Sequence, residues 1–273
     1  MKAGSKKTKQ GANLGSSFLM LSSSKFINYG IGLVSAMLLA RFRTLEEYGT
    51  YAQILMIINL VTSILLLGLP NSLNFFLARA ETAEEKNHFL SLYYSVNTIL
   101  SIMVGGVLVA VTPLLARIFN NPLLESFLYF IAVYPWVKIV TSSVENLLVV
   151  FQKNRLIIAY RLAHSILVVL AILFVQVMGL TFRDYIAIFL GIEALFTALT
   201  YLLANLLGGR LRFSLDRKLL RAVLIFSIPL GLSTACGTLR HEMDKFFIGL
   251  VTNTEKVALY TQAAKEMPVT MIS

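Results

Sequence analysis

Apolar residues fall in long blocks separated by short polar connections. About 20 consecutive apolar residues carry a helix across the hydrocarbon core of a bilayer. The pattern predicts seven such spans, over residues 16–40, 48–68, 89–118, 123–150, 156–179, 185–207 and 219–239, the last able to run on to 249, with an eighth beginning at 257. In lipid each backbone N–H and C=O must be satisfied within its own segment, so every span is expected to be a helix. The blocks are far too long for membrane β-strands. Within 123–150, Pro135 predicts a kink. The connection 71–88 predicts a short amphipathic helix with Glu81, Glu84, Glu85 and Lys86 on its wet face.

Composition agrees with a membrane protein. The chain of 273 residues is 57% hydrophobic and 14% charged, where soluble domains average about 25% charged. The fold class expected is an all-α polytopic membrane helical bundle. The net charge of +10 does not point to nucleic acid, because the basic residues gather at the ends of apolar blocks, where the positive-inside rule places them. With the N-terminus cytoplasmic, the inside set is Lys2, Lys6, Lys7, Lys9, Arg79, Lys86, Lys153, Arg155, Arg161, Arg210, Arg212, Arg217, Lys218 and Arg221. The outside set is half as large: Arg41, Arg43, Arg117, Arg183, Arg240, Lys245 and Lys256. The lysines before the first block resemble a secretory leader. That block is long and carries Lys25, with no small-residue cleavage site, so it reads as a retained span. The single cysteine, Cys236, excludes a disulfide framework or thiolate metal site.

One short stretch recurs. Glu46, Tyr51 and Gln53 fall on Glu255, Tyr260 and Gln262 at a constant offset of 209, the separation of Glu46 from Glu255. The same offset lays the polar stripe of the first span (Lys25, Asn28, Gly32, Ser35) on Thr234, Gly237, His241 and Asp244. Both stripes have the three- and four-residue spacing of one helix face. Six spans separate the copies, so the repeats are parallel, related by an axis along the membrane normal as in some transporters. This divides the chain into a six-helix lobe, 1–209, and a linker with the start of a second lobe, 210–273. The chain is therefore expected to be part of a longer protein.

Ionisable groups at membrane depth cost at least about 2.5–3.5 kcal/mol on insertion scales, so they face a wet cavity or a partner. Lys25, Asn28, Lys138, Glu145, Glu193, His241 and Asp244 are the candidates. Lys138, Ser142 and Glu145 share a face, and the lysine and glutamate either form a structural pair or line a site. Glu193 suits a proton or cation site or a neutral hydrogen-bonded role. Gly32, Ser35 and Gly237 suit close helix packing. His164 suits packing, and Arg161 and Arg117 suit snorkelling to the interface. No phosphate loop, HExxH or nucleophile elbow is present, and the connections are too short for a catalytic domain, so neither enzymatic activity nor a cofactor or metal is expected.

The segments ARFRTLEEYGTYAQ, LGLPNSLNFFLARAETAEEK and MDKFFIGLVTNTEKVALYTQA resemble the polysaccharide-transporter family, the Wzx-type flippases of the multidrug/oligosaccharidyl-lipid/polysaccharide exporter superfamily. The resemblance implies two six-helix lobes working by alternating access, of which this chain supplies the first and the start of the second. It implies export of undecaprenyl-pyrophosphate-linked sugar units across the bacterial cytoplasmic membrane for surface polysaccharides such as O-antigen. A pyrophosphate cargo calls for cations in a cavity, for which Lys25 and Lys138 are candidates, with Asn28 beside them and Arg41 and Arg43 at the outer mouth. Glu145, Glu193, His241 and Asp244 are candidates for coupling to protons or sodium. Expected partners are the lipid-linked oligosaccharide, membrane lipids and the polysaccharide polymerase machinery, not nucleic acid. The rival readings are a lipid II flippase or a drug/cation antiporter of the same superfamily, a membrane glycosyltransferase or ligase, and a scaffold.

Overall fold

The computed structural model describes residues 26, 27 and 29–264, so Lys25 and Asn28 lie outside the described residues. The described residues are helical, without strands: α1 (Tyr29–Phe42), α2 (Leu45–Leu65), α3 (Leu69–Ser72), a π-helical turn (Leu73–Leu77), α4 (Ala83–Ile118), α5 (Leu123–Ser126), α6 (Leu128–Thr141), α7 (Val144–Val150), α8 (Asn154–Val177), α9 (Phe182–Gly208), α10 (Arg217–Val251) and α11 (Thr254–Ala263). Five of these, α2, α4, α8, α9 and α10, are long and apolar enough to cross a membrane. The chain is an all-α polytopic membrane bundle. At 1.5 Å rise per residue, α4 and α10 measure about 50 Å and outrun the roughly 30 Å hydrocarbon core.

Local chemistry sets the helix starts. Thr44 and Glu47 cap α2 reciprocally: the Glu47 N–H donates to Thr44 Oγ1 at 3.1 Å and the Thr44 N–H to Glu47 Oε2 at 3.2 Å. Thr82 with Glu85 and Thr181 with Asp184 do the same for α4 and α9. Asn253 caps α11, and it stands 209 positions after Thr44, as Val251 at the end of α10 stands after Phe42 at the end of α1. The repeated stretch is thus a repeated helix–turn–helix, and its second copy packs on the first: Tyr48 Oη donates to Gln262 Oε1 at 2.9 Å.

The connections sort to two ends of the bundle. At one end Arg43 Nη1 donates to the Leu180 carbonyl and Asn121 Nδ2 donates to Thr50 Oγ1 and Gln53 Oε1, tying the α1–α2, α8–α9 and α4–α5 turns together. At the other, the 209–216 strap lies along the start of α4. Asn87 Nδ2 donates to the Gly208 and Arg210 carbonyls, and the Arg212 and Ser214 N–H groups donate to Ser91 and Ser95.

The 71–88 connection is not one helix: residues 69–79 are helical and the chain breaks at 80–82. Pro70 opens α3 in its first turn, the π-helical turn follows, and α4 begins afresh at its Thr82 cap. The fourth span is interrupted at Ser142–Ser143, while Pro135 sits buried inside α6. Ser142 Oγ and Ser143 Oγ donate back to the Ile139 and Val140 carbonyls at 2.7 and 2.6 Å. Such back-bonding competes with the helical ladder and bends or ends a helix.

An aromatic core locks α2, α6 and α9. The Tyr51 ring lies 6.1–6.4 Å from those of Phe130, Phe182, Tyr185 and Phe189, mostly edge-to-face, and Phe130 stacks on Tyr134 at 4.7 Å. A second core joins α3, α4, α7 and α10 through Leu69, Leu73, Leu90, Leu147 and Val223. Opposite the aromatic core, α6 and α9 turn polar.

Candidate functional site

α6, α7, α8 and α9 surround a cavity of about 310 Å³, at the low end for small-molecule sites. Its walls carry Tyr134 and Lys138 from α6, Glu145 from α7, Tyr160, Arg161 and His164 from α8, and Glu193 from α9. On α8 the spacing from Tyr160 to His164 is one turn, which puts both over the α9 face bearing Glu193, Thr197 and Thr200. Tyr160 Oη accepts from or donates to Thr200 Oγ1 at 3.1 Å. Thr197 and Thr200 satisfy their own hydroxyls on carbonyls one turn back.

Arg161 and His164 meet carboxylates inside the cavity, and Lys138 is held by an amide. Arg161 Nη2 donates to Glu145 Oε2. His164 Nε2 and Glu193 Oε1 lie 2.9 Å apart, with the glutamate only 7% exposed. Lys138 Nζ donates to Asn59 Oδ1. Asn59 Nδ2 donates in turn to Glu242 Oε1 at 2.9 Å, and Lys245 Nζ donates to Glu242 Oε2 at 2.7 Å. Paired charges lining a cavity are available to exchange partners, because an incoming ion replaces one hydrogen bond with another instead of leaving a charge unpaired.

The structure gathers Lys138, Glu145 and Glu193 of the candidate residues. It adds Arg161, which faces the cavity instead of snorkelling, and His164, which is a partner to Glu193 as well as a ring packed on Phe196 at 4.9 Å. Glu145 pairs with Arg161 and not with Lys138, which lines the same cavity two turns, about 10 Å, earlier. Arg43 does not reach the cavity. It holds the Leu180 carbonyl, and Arg41 is exposed at the same end. His241 and Asp244 are exposed on α10, and Asp244 accepts from Tyr260 Oη at 2.9 Å. The buried face of α10 is instead Ser227, Gly231, Ala235, Glu242 and Gly249.

Close backbone contact fixes that rotation. An added Cβ at Gly231 would lie 2.2 Å from the Leu67 carbonyl carbon, and one at Gly68, whose φ is +69°, would lie 2.5 Å from the Gly231 nitrogen. With Gly231 turned to α2, Glu242 follows three turns later on the same side and meets Asn59. The missed residues had a signal. Asn59 is the lone amide in the apolar run ILMIINLVTSIL, and an amide at that depth needs a partner.

Among the described residues no group of three or more His, Cys, Asp or Glu stands close enough to hold a metal ion. Searches of curated proteins and of solved structures returned no match. A family model does match, over residues 14–273. Together with the helical membrane architecture and the charged cavity between its spans, that match shows the chain to belong to the polysaccharide biosynthesis protein family, the family of Wzx-type polysaccharide flippases.

Proposed function

We propose that this membrane exporter of the polysaccharide biosynthesis family moves undecaprenyl-pyrophosphate-linked oligosaccharide units across the bacterial cytoplasmic membrane, its N-terminus on the cytoplasmic side. The observation that carries the proposal is the cavity itself: Lys138, Arg161 and His164 line it at a depth where the flanking helices are apolar. Arg161 offers a planar fork and Lys138 a mobile point charge, the two kinds of donor that bind phosphate oxygens. A diphosphate entering the cavity displaces Glu145 from Arg161 with one charge-assisted hydrogen bond exchanged for another. The sugars continue from the cavity along the polar α6 and α9 faces, and the polyprenyl chain stays in lipid.

Glu193 and His164 support ion coupling, because a buried carboxylate stands 2.9 Å from an imidazole nitrogen in the cavity wall. The full chain carrying Lys138→Ala or Arg161→Ala, expressed at wild-type level, should lose surface-polysaccharide export. Wild-type export by both variants would refute the proposal. Loss of export in Glu193→Gln with retained binding of inorganic pyrophosphate by the purified protein would assign Glu193 to coupling and not to cargo binding.

A further inference from the structure

Lys138 lies where two systems meet. Its side chain lines the cavity, yet its ammonium is held on the far side by Asn59 of α2. The Asn59 amide is polarised from both ends, accepting from Lys138 and donating to Glu242. The orientation of this amide follows from its partners, a cation on its oxygen and a carboxylate on its nitrogen. Glu242 is buried and shared with Lys245 one turn on. The chain Lys138–Asn59–Glu242–Lys245 therefore crosses three helices, α6, α2 and α10. It sits in the middle of a seam pinned at both ends by backbone contact. An added Cβ at Gly49 would stand 2.2 Å from the Thr254 carbonyl oxygen, and the Gly68–Gly231 crossing closes the other end.

We infer that Asn59 and Glu242 are positioning residues for Lys138, and that an anion in the cavity competes with them for its ammonium. This inference rests on the reading of the cavity as an anion site. In the structure described here Lys138 is committed to Asn59. Binding of a diphosphate draws it into the cavity, and the Asn59 amide then loses its cation. Glu242 keeps Lys245 but its contact with α2 rests on an amide no longer polarised by Lys138. Cavity occupancy is thereby communicated to α10 through one side-chain amide. Neither Asn59 nor Glu242 itself lines the cavity; Asn59 reaches it only through Lys138.

The titration of the purified full chain with inorganic pyrophosphate, followed by calorimetry, tests the competition. Asn59→Leu and Glu242→Gln each remove a competitor and should tighten binding about tenfold, the weight of one charge-assisted hydrogen bond. Lys138→Ala should weaken binding and abolish both gains when combined with either variant. Unchanged or weaker binding in Asn59→Leu, or a gain that survives in the Lys138→Ala background, overturns the inference. A second measurement needs no ligand: amide exchange of segment 238–246 should speed up in both Lys138→Met and Asn59→Leu. Exchange equal to wild type in Lys138→Met overturns the chain of contacts whatever the titration gives. A wild type that ignores pyrophosphate while that segment responds to Lys138→Met overturns the anion reading of the cavity and leaves the contact chain standing.

Discussion

Replacing Gly231 by alanine adds one methyl group at the tightest point of the α2–α10 seam. The new Cβ would stand 2.2 Å from the Leu67 carbonyl carbon, 2.5 Å from the Gly68 nitrogen and 2.7 Å from the Leu67 Cα. All three are backbone atoms, so no side chain can swing aside, and α10 must move off α2. Overpacking of this kind costs about 1–3 kcal/mol. Alanine's helix propensity returns up to about 1 kcal/mol of that. Separation of the helices also stretches the Asn59–Glu242 bond, which lies three turns away on the same face. The net expectation is a loss of about 1–2 kcal/mol, or roughly 2–8 °C in Tm for a chain of this size. The assay is thermal unfolding in detergent at one fixed scan rate, with Gly191→Ala as the control. Gly191 lies in α9 with nothing within 4 Å of its added Cβ, so alanine there should leave Tm level or slightly raised. Equal melting of Gly231→Ala and Gly191→Ala would refute the reasoning, since it would mean that α2 and α10 do not touch backbone to backbone.

Other positions give further checks. Gly68→Ala adds a left-handed backbone penalty of about 1–2 kcal/mol to a Cβ placed 2.5 Å from Gly231, so it should melt at least as early as Gly231→Ala. Glu145→Gln leaves Arg161 half-buried with a weaker acceptor and should destabilise by about 1–2 kcal/mol, while the double variant with Arg161→Met should recover most of that in the same melting assay. Asp216 caps α10 through the Leu219 and Lys218 N–H groups and contacts His88, and these bonds hold its carboxyl below the usual value of 3.8. A depressed carboxylate stabilises the fold above its ordinary range and loses that contribution as pH falls through its lowered value. Asp216→Ala should therefore melt below wild type at pH 7, and the gap should close below about pH 4; a gap independent of pH would contradict it.

The helical membrane class was legible because 20-residue apolar blocks admit one solution in lipid. The capped starts were legible too, since Thr-x-x-Glu at 44–47 and 82–85 is a local code whose partners lie three residues apart. The cavity was half legible. Lys138, Glu145 and Glu193 announce themselves as charges in apolar runs, but their partners do not, because pairing depends on helix rotation and on where the fourth span breaks. Each residue of slip on a helix turns its face by about 100°, so the 234–237–241–244 stripe lies on the exposed side of α10 while the neighbouring face through Glu242 packs into the seam. On α10 the decisive residues were small ones: Gly231 and Gly249 carry no charge or periodic signature, yet their missing side chains let α10 approach Gly68 and the Phe119 ring. Where helices cross a membrane and both faces are largely apolar, contact distance sets rotation before polarity does. Polar residues such as Asn59 and Glu242 then meet because the glycines have already chosen the face.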